Sequence, residues 1–118
     1  MGKISIEGME FFAYHGCFKE EQIIGTRFQV DLEIITNTEK AEISDNITDT
    51  VNYQTIYLLI KEKMFENSHL LEHLARKIID TLKTHFTQIE QIEVKVSKLN
   101  PALAHGGKID KVSVILAE

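Results

Sequence analysis

From Thr26 to Thr36 the chain alternates without a break, Phe28, Val30, Leu32 and Ile34 against Gln29, Asp31 and Glu33. Successive side chains of an extended strand point to opposite faces, so this segment is a strand with one apolar and one polar face. Such a strand needs a covering layer on one side only, and that requirement governs what the remaining chain must supply. Residues 91–97 repeat the pattern, with Ile92, Val94 and Val96 opposed to Glu93, Lys95 and Ser97. Lys111–Ala117 repeats it again through Val112, Val114 and Leu116. Residues 3–14 alternate weakly at Ile4 and Ile6 and then turn aromatic at Phe11, Phe12 and Tyr14, which predicts a strand with a bulge at Gly8. A loop of about nine residues joins it to the next strand, the length of an antiparallel hairpin connection with a long turn.

The covering layer is read from two helical stripes. Ile56, Leu59, Ile60 and Met64 share one side of a helix that starts at Asn52. Leu71, Leu74, Ile78, Leu82 and Phe86 recur at the three-and-four spacing of a second. Asn67 and Ser68, just ahead of it, are N-cap residues by type. Residues 17–25 read as a charged connection, and residues 38–50 as polar and acidic with a short helical turn at 39–43. Asn100-Pro101 ends the third strand, because the residue before proline avoids the helical region and proline cannot donate to a ladder. The order is two strands, two helices, two strands. This predicts an α+β fold, a four-stranded antiparallel sheet with two helices on one face. The outer strands carry few blocking devices, so subunits are expected to associate edge to edge.

At 118 residues the chain is expected to be one domain, burying roughly two-thirds of its unfolded surface. The net charge of −5, with no run of Lys or Arg, argues against nucleic acid and anionic membranes as partners. Cys17 is the one cysteine, so no internal disulfide forms and a reducing compartment fits. The first residues hold no long apolar run, so a cytoplasmic protein with no signal peptide is expected.

Several side chains bear on chemistry. Glu72 falls in the first turn of the second helix, where backbone N–H groups lack partners and the dipole favours an anion. There it either helps the helix start or accepts hydrogen bonds from a ligand with paired N–H donors. His69-Leu-Leu-Glu72-His73 spells the inverted zinc-protease signature, whose two histidines share a helix face, but no motif marks a third ligand. His15, His85 and His105 are isolated, and each reads as a surface or supporting histidine. Cys17 lies two residues from His15, with nothing to orient the two as a nucleophilic pair. Lys98 closes a strand just before the Leu99-Asn100-Pro101 break, where a partly desolvated amine can act as general acid or base. Tyr53, in the first turn of a helix, and Glu21, in an acidic run, are unremarkable taken singly.

Together these pieces resemble the dihydroneopterin aldolases of folate biosynthesis. The matching stretches are Tyr14-His15-Gly16, Glu21, Ile24-Gly25, Asp49-Thr50-Val51-Asn52-Tyr53, Leu71-Glu72-His73, Ser97-Lys98 through Asn100-Pro101, and Val112-Ser113-Val114. The resemblance runs through the whole chain in order. It implies the tunnelling fold, in which four subunits close their sheets into a barrel and two rings stack into an octamer, with active sites shared between neighbours. It implies cleavage of 7,8-dihydroneopterin with no metal, no other cofactor and no Schiff base. In this family the carboxylate matching Glu72 binds the amino-pyrimidinone edge of the pterin, helped by backbone near Leu71 and near Thr50 and Val51. The lysine matching Lys98 is the general acid/base, and Tyr53 and Glu21 match residues that meet the substrate side chain and its water. A related epimerase of dihydroneopterin triphosphate has a similar residue set, but the acidic character here offers no basic pocket for a polyphosphate. Other tunnelling-fold pterin enzymes hold zinc with histidines, and no His-x-His pair is present. A non-catalytic scaffold would have no use for Glu72, Tyr53 and Lys98 together.

Overall fold

The computed structural model describes all 118 residues. Four strands form one antiparallel sheet in the order β1-β2-β3-β4: β1 Gly2–Ala13, β2 Thr26–Thr36, β3 Ile89–Leu99 and β4 Lys111–Ala117. Two long helices, α3 Tyr53–Phe65 and α4 Leu71–His85, cover its apolar face. Two short ones, α1 Lys19–Ile24 and α2 Glu39–Ser44, and a 3-10 turn at Ile47–Asp49 fill the connections.

The core is where the alternation places it. Phe28, Val30, Leu32 and Ile34 of β2 are fully enclosed, as are Val94 and Val96 of β3. Opposite them lie Ile56, Ile60 and Met64 of α3 and Leu74, Ile78 and Leu82 of α4, joined by Ala75 and Ile79. Burying each large aliphatic side chain here contributes about 1.5–3 kcal/mol. Leu71 and Leu59 pack against the margin of this cluster.

β1 pairs Ile6 with Leu32 and then Met9 with Val30, so Glu7 and Gly8 together face Asp31. This is the bulge expected at Gly8. Gly8 takes a φ of 73°, and its N–H donates to Asp31 Oδ1 at 2.8 Å. A side chain at that φ would be strained, so glycine is the fitting residue.

Two expectations need correction and a third is narrowed. Residues 17–25 are not an open connection but contain α1, which buries no residue and therefore leaves no apolar stripe to read. Asn67 and Ser68 do not cap α4: the helix begins after Leu70, with no side-chain cap at all. Of the two readings of His15, surface or supporting, only the second is left, since 2% of it is exposed.

Candidate active site

Lys98 and Phe28 are register partners on β3 and β2, near the end of the sheet where β1 runs into α1. The Lys98 ammonium binds Glu21 Oε2 of α1, each side chain being 12% exposed. The other oxygen of Glu21 accepts the N–H of Phe18 at 3.4 Å. Nζ also lies 5.8 Å from the centroid of the Phe28 ring, within cation–π range. Lys98 is thus neither a free strand-end amine nor is Glu21 a solvated loop charge. Each satisfies the other in a mostly dry setting, where charge-assisted hydrogen bonds are strongest.

The turn between β1 and α1 is built around this pair. Gly16 has a φ of 147°, and a Cβ there would lie 2.6 Å from the Glu21 carboxyl carbon. Gln22 Nε2 donates to the Gly16 carbonyl at 3.0 Å and folds α1 back on the turn. The Gly16 N–H donates to the Ser68 carbonyl at 2.9 Å, and the Ser68 N–H donates to His15 Nδ1 at 3.0 Å. An amide N–H can only donate, so Nδ1 carries no proton and the neutral imidazole holds its proton on Nε2. Burial, with Lys77 and Lys98 nearby, lowers the His15 pKa from 6.5 to about 4. The Met64 backbone pulls the other way, yet Nε2 makes no hydrogen bond of normal geometry.

Through Ser68 this end of the sheet meets the start of α4. Leu71 is partly buried and Glu72 is exposed in the first turn, with the helix's free N–H groups beside it. His69 lies outside the helix, its carbonyl 3.5 Å from Cys17 Sγ. His69 and His73 therefore do not share a helix face, and no group of three His, Cys, Asp or Glu comes together to hold a metal ion.

The remaining candidates lie elsewhere. Thr50 and Val51 share a crevice with Thr36 and Gln88, at the far end of β2. Tyr53 follows at the start of α3 and is 63% exposed. Asn52 Oδ1 caps this helix by accepting the Gln54 N–H at 2.9 Å. Eight residue steps along β2 from Phe28 to Thr36 span about 26 Å. One chain therefore gathers Glu21, Leu71, Glu72 and Lys98 at one end and Thr50, Val51 and Tyr53 at the other.

At the first end spacing alone could not place His15, whose partner is 53 residues away, or mark Phe28, which reads only as core. The motif Tyr14-His15-Gly16 was the one pointer to the former.

Comparison with solved structures establishes the architecture. The dihydroneopterin aldolase of Escherichia coli, crystallised with neopterin, superposes with a TM-score of 0.85 over 100% of this chain and 99% of that one, at 24% identity. The subunit is therefore of the tunnelling-fold class.

Sequence comparison narrows this to a family. Residues 4–117 match the family described as dihydroneopterin aldolase (FolB). The dihydroneopterin aldolase of Streptococcus pyogenes is 42% identical over 105 residues, 88% of each chain. That of Bacillus subtilis is 39% identical over 104 residues, 87% of each. The chain belongs to the dihydroneopterin aldolase family and is an enzyme.

Proposed function

We propose that the chain is a single-domain enzyme that cleaves the C1′–C2′ bond of 7,8-dihydroneopterin to give 6-hydroxymethyl-7,8-dihydropterin and glycolaldehyde. The substrate carries its own electron sink, the imine between C6 and N5. Removal of the 2′-hydroxyl proton releases glycolaldehyde, while the bonding pair enters the ring and N5 is protonated. Protonation at C1′ and loss of the N5 proton then complete the product. Net, one proton moves from the hydroxyl to carbon, so acid–base groups suffice and neither metal nor Schiff base is called on.

The observation that carries this reading is the enclosed Lys98–Glu21 pair beside the start of α4. Lys98 serves proton transfer at N5, and Glu21 orients it and meets the substrate side chain and its water. Glu72 accepts two N–H bonds from the amino-pyrimidinone edge, a bidentate charge-assisted pairing of about 1.5–3 kcal/mol per bond, with Leu71 backbone beside it. Thr50 and Val51 add backbone contacts, and Tyr53 serves the hydroxyl. Because these last three lie toward the Thr36 end of β2, about 26 Å along the strand from the level of Phe28 and Lys98, they reach the site from a neighbouring subunit.

We infer assembly into an octamer of two four-subunit rings, and the shape and the surface support association between copies of the chain. The radius of gyration is 15.8 Å. A compact chain of this length has about 13.5 Å. Phe12, Phe18, Ile23 and Ile24 are each more than half exposed around α1, and both β1 and β4 are open edges. Epimerisation at C2′ accompanies cleavage, since retro-aldol and re-addition share an intermediate. No helix is long and apolar enough to cross a membrane. We place the enzyme in the cytoplasm on its single free thiol.

The test is to incubate the protein with 7,8-dihydroneopterin, with and without chelator, and quantify both products, with Lys98→Ala in parallel. Chelator-insensitive turnover that falls by about 100-fold or more in the variant is expected. Absence of turnover by the folded, assembled protein sinks the reading, and turnover of the triphosphate alone reassigns it as the epimerase.

A further inference from the structure

We propose that His15 is a positioning residue that holds Glu72 and Lys98 in their working places. The inference rests on the function proposed above, in which those two residues face the substrate.

Most helices of this length begin with a side chain that fixes the first turn, and α4 has none. What anchors it is tertiary. Residues 15 and 16 take both polar groups of the Ser68 backbone, His15 Nδ1 accepting its N–H and the Gly16 N–H donating to its carbonyl. Those two bonds tie the end of β1 to the loop three residues before Leu71, and so fix where Glu72 emerges. The same imidazole stands edge-on to the Phe28 ring, with centroids 5.2 Å apart and planes at 81°. Phe28 is the ring beneath the Lys98 ammonium. One side chain thus sets the level of both groups.

The chemistry of the ring suits this role. An acceptor at Nδ1 must stay unprotonated to receive the Ser68 N–H. The charges facing it favour that state: Lys77 comes from α4 and Lys98 from β3, while the neighbouring carboxylate, Glu21 of α1, is engaged by Lys98. His15 is almost wholly enclosed, so its part is positional and not catalytic.

His15→Asn and His15→Gln separate this role from a generic core role. Asn places an amide oxygen where Nδ1 stood, whereas Gln carries its oxygen one bond further, near the Nε2 position. KM for 7,8-dihydroneopterin in His15→Asn is expected within about threefold of wild type, and in His15→Gln about tenfold or more higher, the effect of one lost hydrogen bond on a binding group. Hydrogen exchange at the Ser68 amide reads the same contact without substrate, slow in wild type and His15→Asn and fast in His15→Gln. Equal KM values for the Asn and Gln variants, or equal exchange at Ser68, overturn the proposal. The exchange result stands whatever the substrate proves to be, so it also separates this failure from a failure of the functional reading.

Discussion

The separation of the candidate residues makes a quantitative prediction about mixed assemblies. Lys98→Ala removes the proposed acid–base group at one end of the chain, and Tyr53→Ala removes the phenol at the other. Each homogeneous enzyme should lose activity by about 100-fold or more. If every site takes Lys98 from one chain and Tyr53 from its neighbour, a site is intact only when the first is a Tyr53 variant and the second a Lys98 variant. Random co-assembly of equal amounts then restores about a quarter of wild-type sites in a closed ring of head-to-tail contacts. The assay is to unfold the two variants together, refold them, confirm mixed rings by native mass spectrometry and measure glycolaldehyde release. About 26 Å along a strand cannot be closed by side chains. Mixed rings with no more activity than the parents would refute a shared site, since a site complete within one chain gains nothing from mixing.

Three further outcomes follow from the geometry. Glu21→Ala leaves the 12%-exposed Lys98 ammonium without its partner and should cost about 3 kcal/mol of stability, read by denaturant unfolding at fixed chain concentration; a loss under about 1 kcal/mol contradicts an enclosed pair. Gly16→Ala drives a Cβ against Glu21, so it should lower both thermal stability and kcat, whereas Gly106→Ala, at a φ of 77° with nothing within 4 Å, carries the left-handed backbone strain without a clash and should lower stability alone. His15 titrates at about 4 in the fold against 6.5 when unfolded, so the unfolded chain binds its proton first as pH falls. The stability this group contributes is whole above pH 6.5 and is lost between pH 6.5 and 4, up to about 3 kcal/mol, which His15→Asn should remove from the pH profile of unfolding.

Where a face is periodic the sequence was sufficient. β2 and β4 span the residues their alternation marks, and α3 and α4 bury the stripes read from three-and-four spacing. Extended and helical periodicity record burial against one layer, and burial here is set by that layer alone. The rest depended on contacts distant in the chain. Asn67 and Ser68 have the composition of a helix cap, but the Ser68 backbone is already engaged by residues 15 and 16, and the helix starts later. α1 buries nothing, so no pattern revealed it, and its role is to bring Glu21 to Lys98 across 77 positions. The resemblance to a family pointed to Glu21, Glu72 and Lys98 together; no spacing rule could have told that Thr50, Val51 and Tyr53 stand at the opposite end of the same chain.

The bulge at Gly8 acts as a phase shift. Before it the half-buried residues of β1 are even-numbered, Ile4 and Ile6; after it the inward ones are odd-numbered, Met9, Phe11 and Ala13, and the parity carries on to His15. One unpaired residue near the middle of the strand thereby decides that the imidazole, and not the Tyr14 phenol, turns inward at its end. With Gly8 kept in unbroken alternation the two would exchange, Tyr14 turning toward Phe28 and His15 into solvent, whereas deleting Gly8 leaves Glu7 alone to face Asp31 and keeps both as they are. The register of a strand edge in this sense selects which side chain supports the end of the sheet, and it is set seven residues before that side chain.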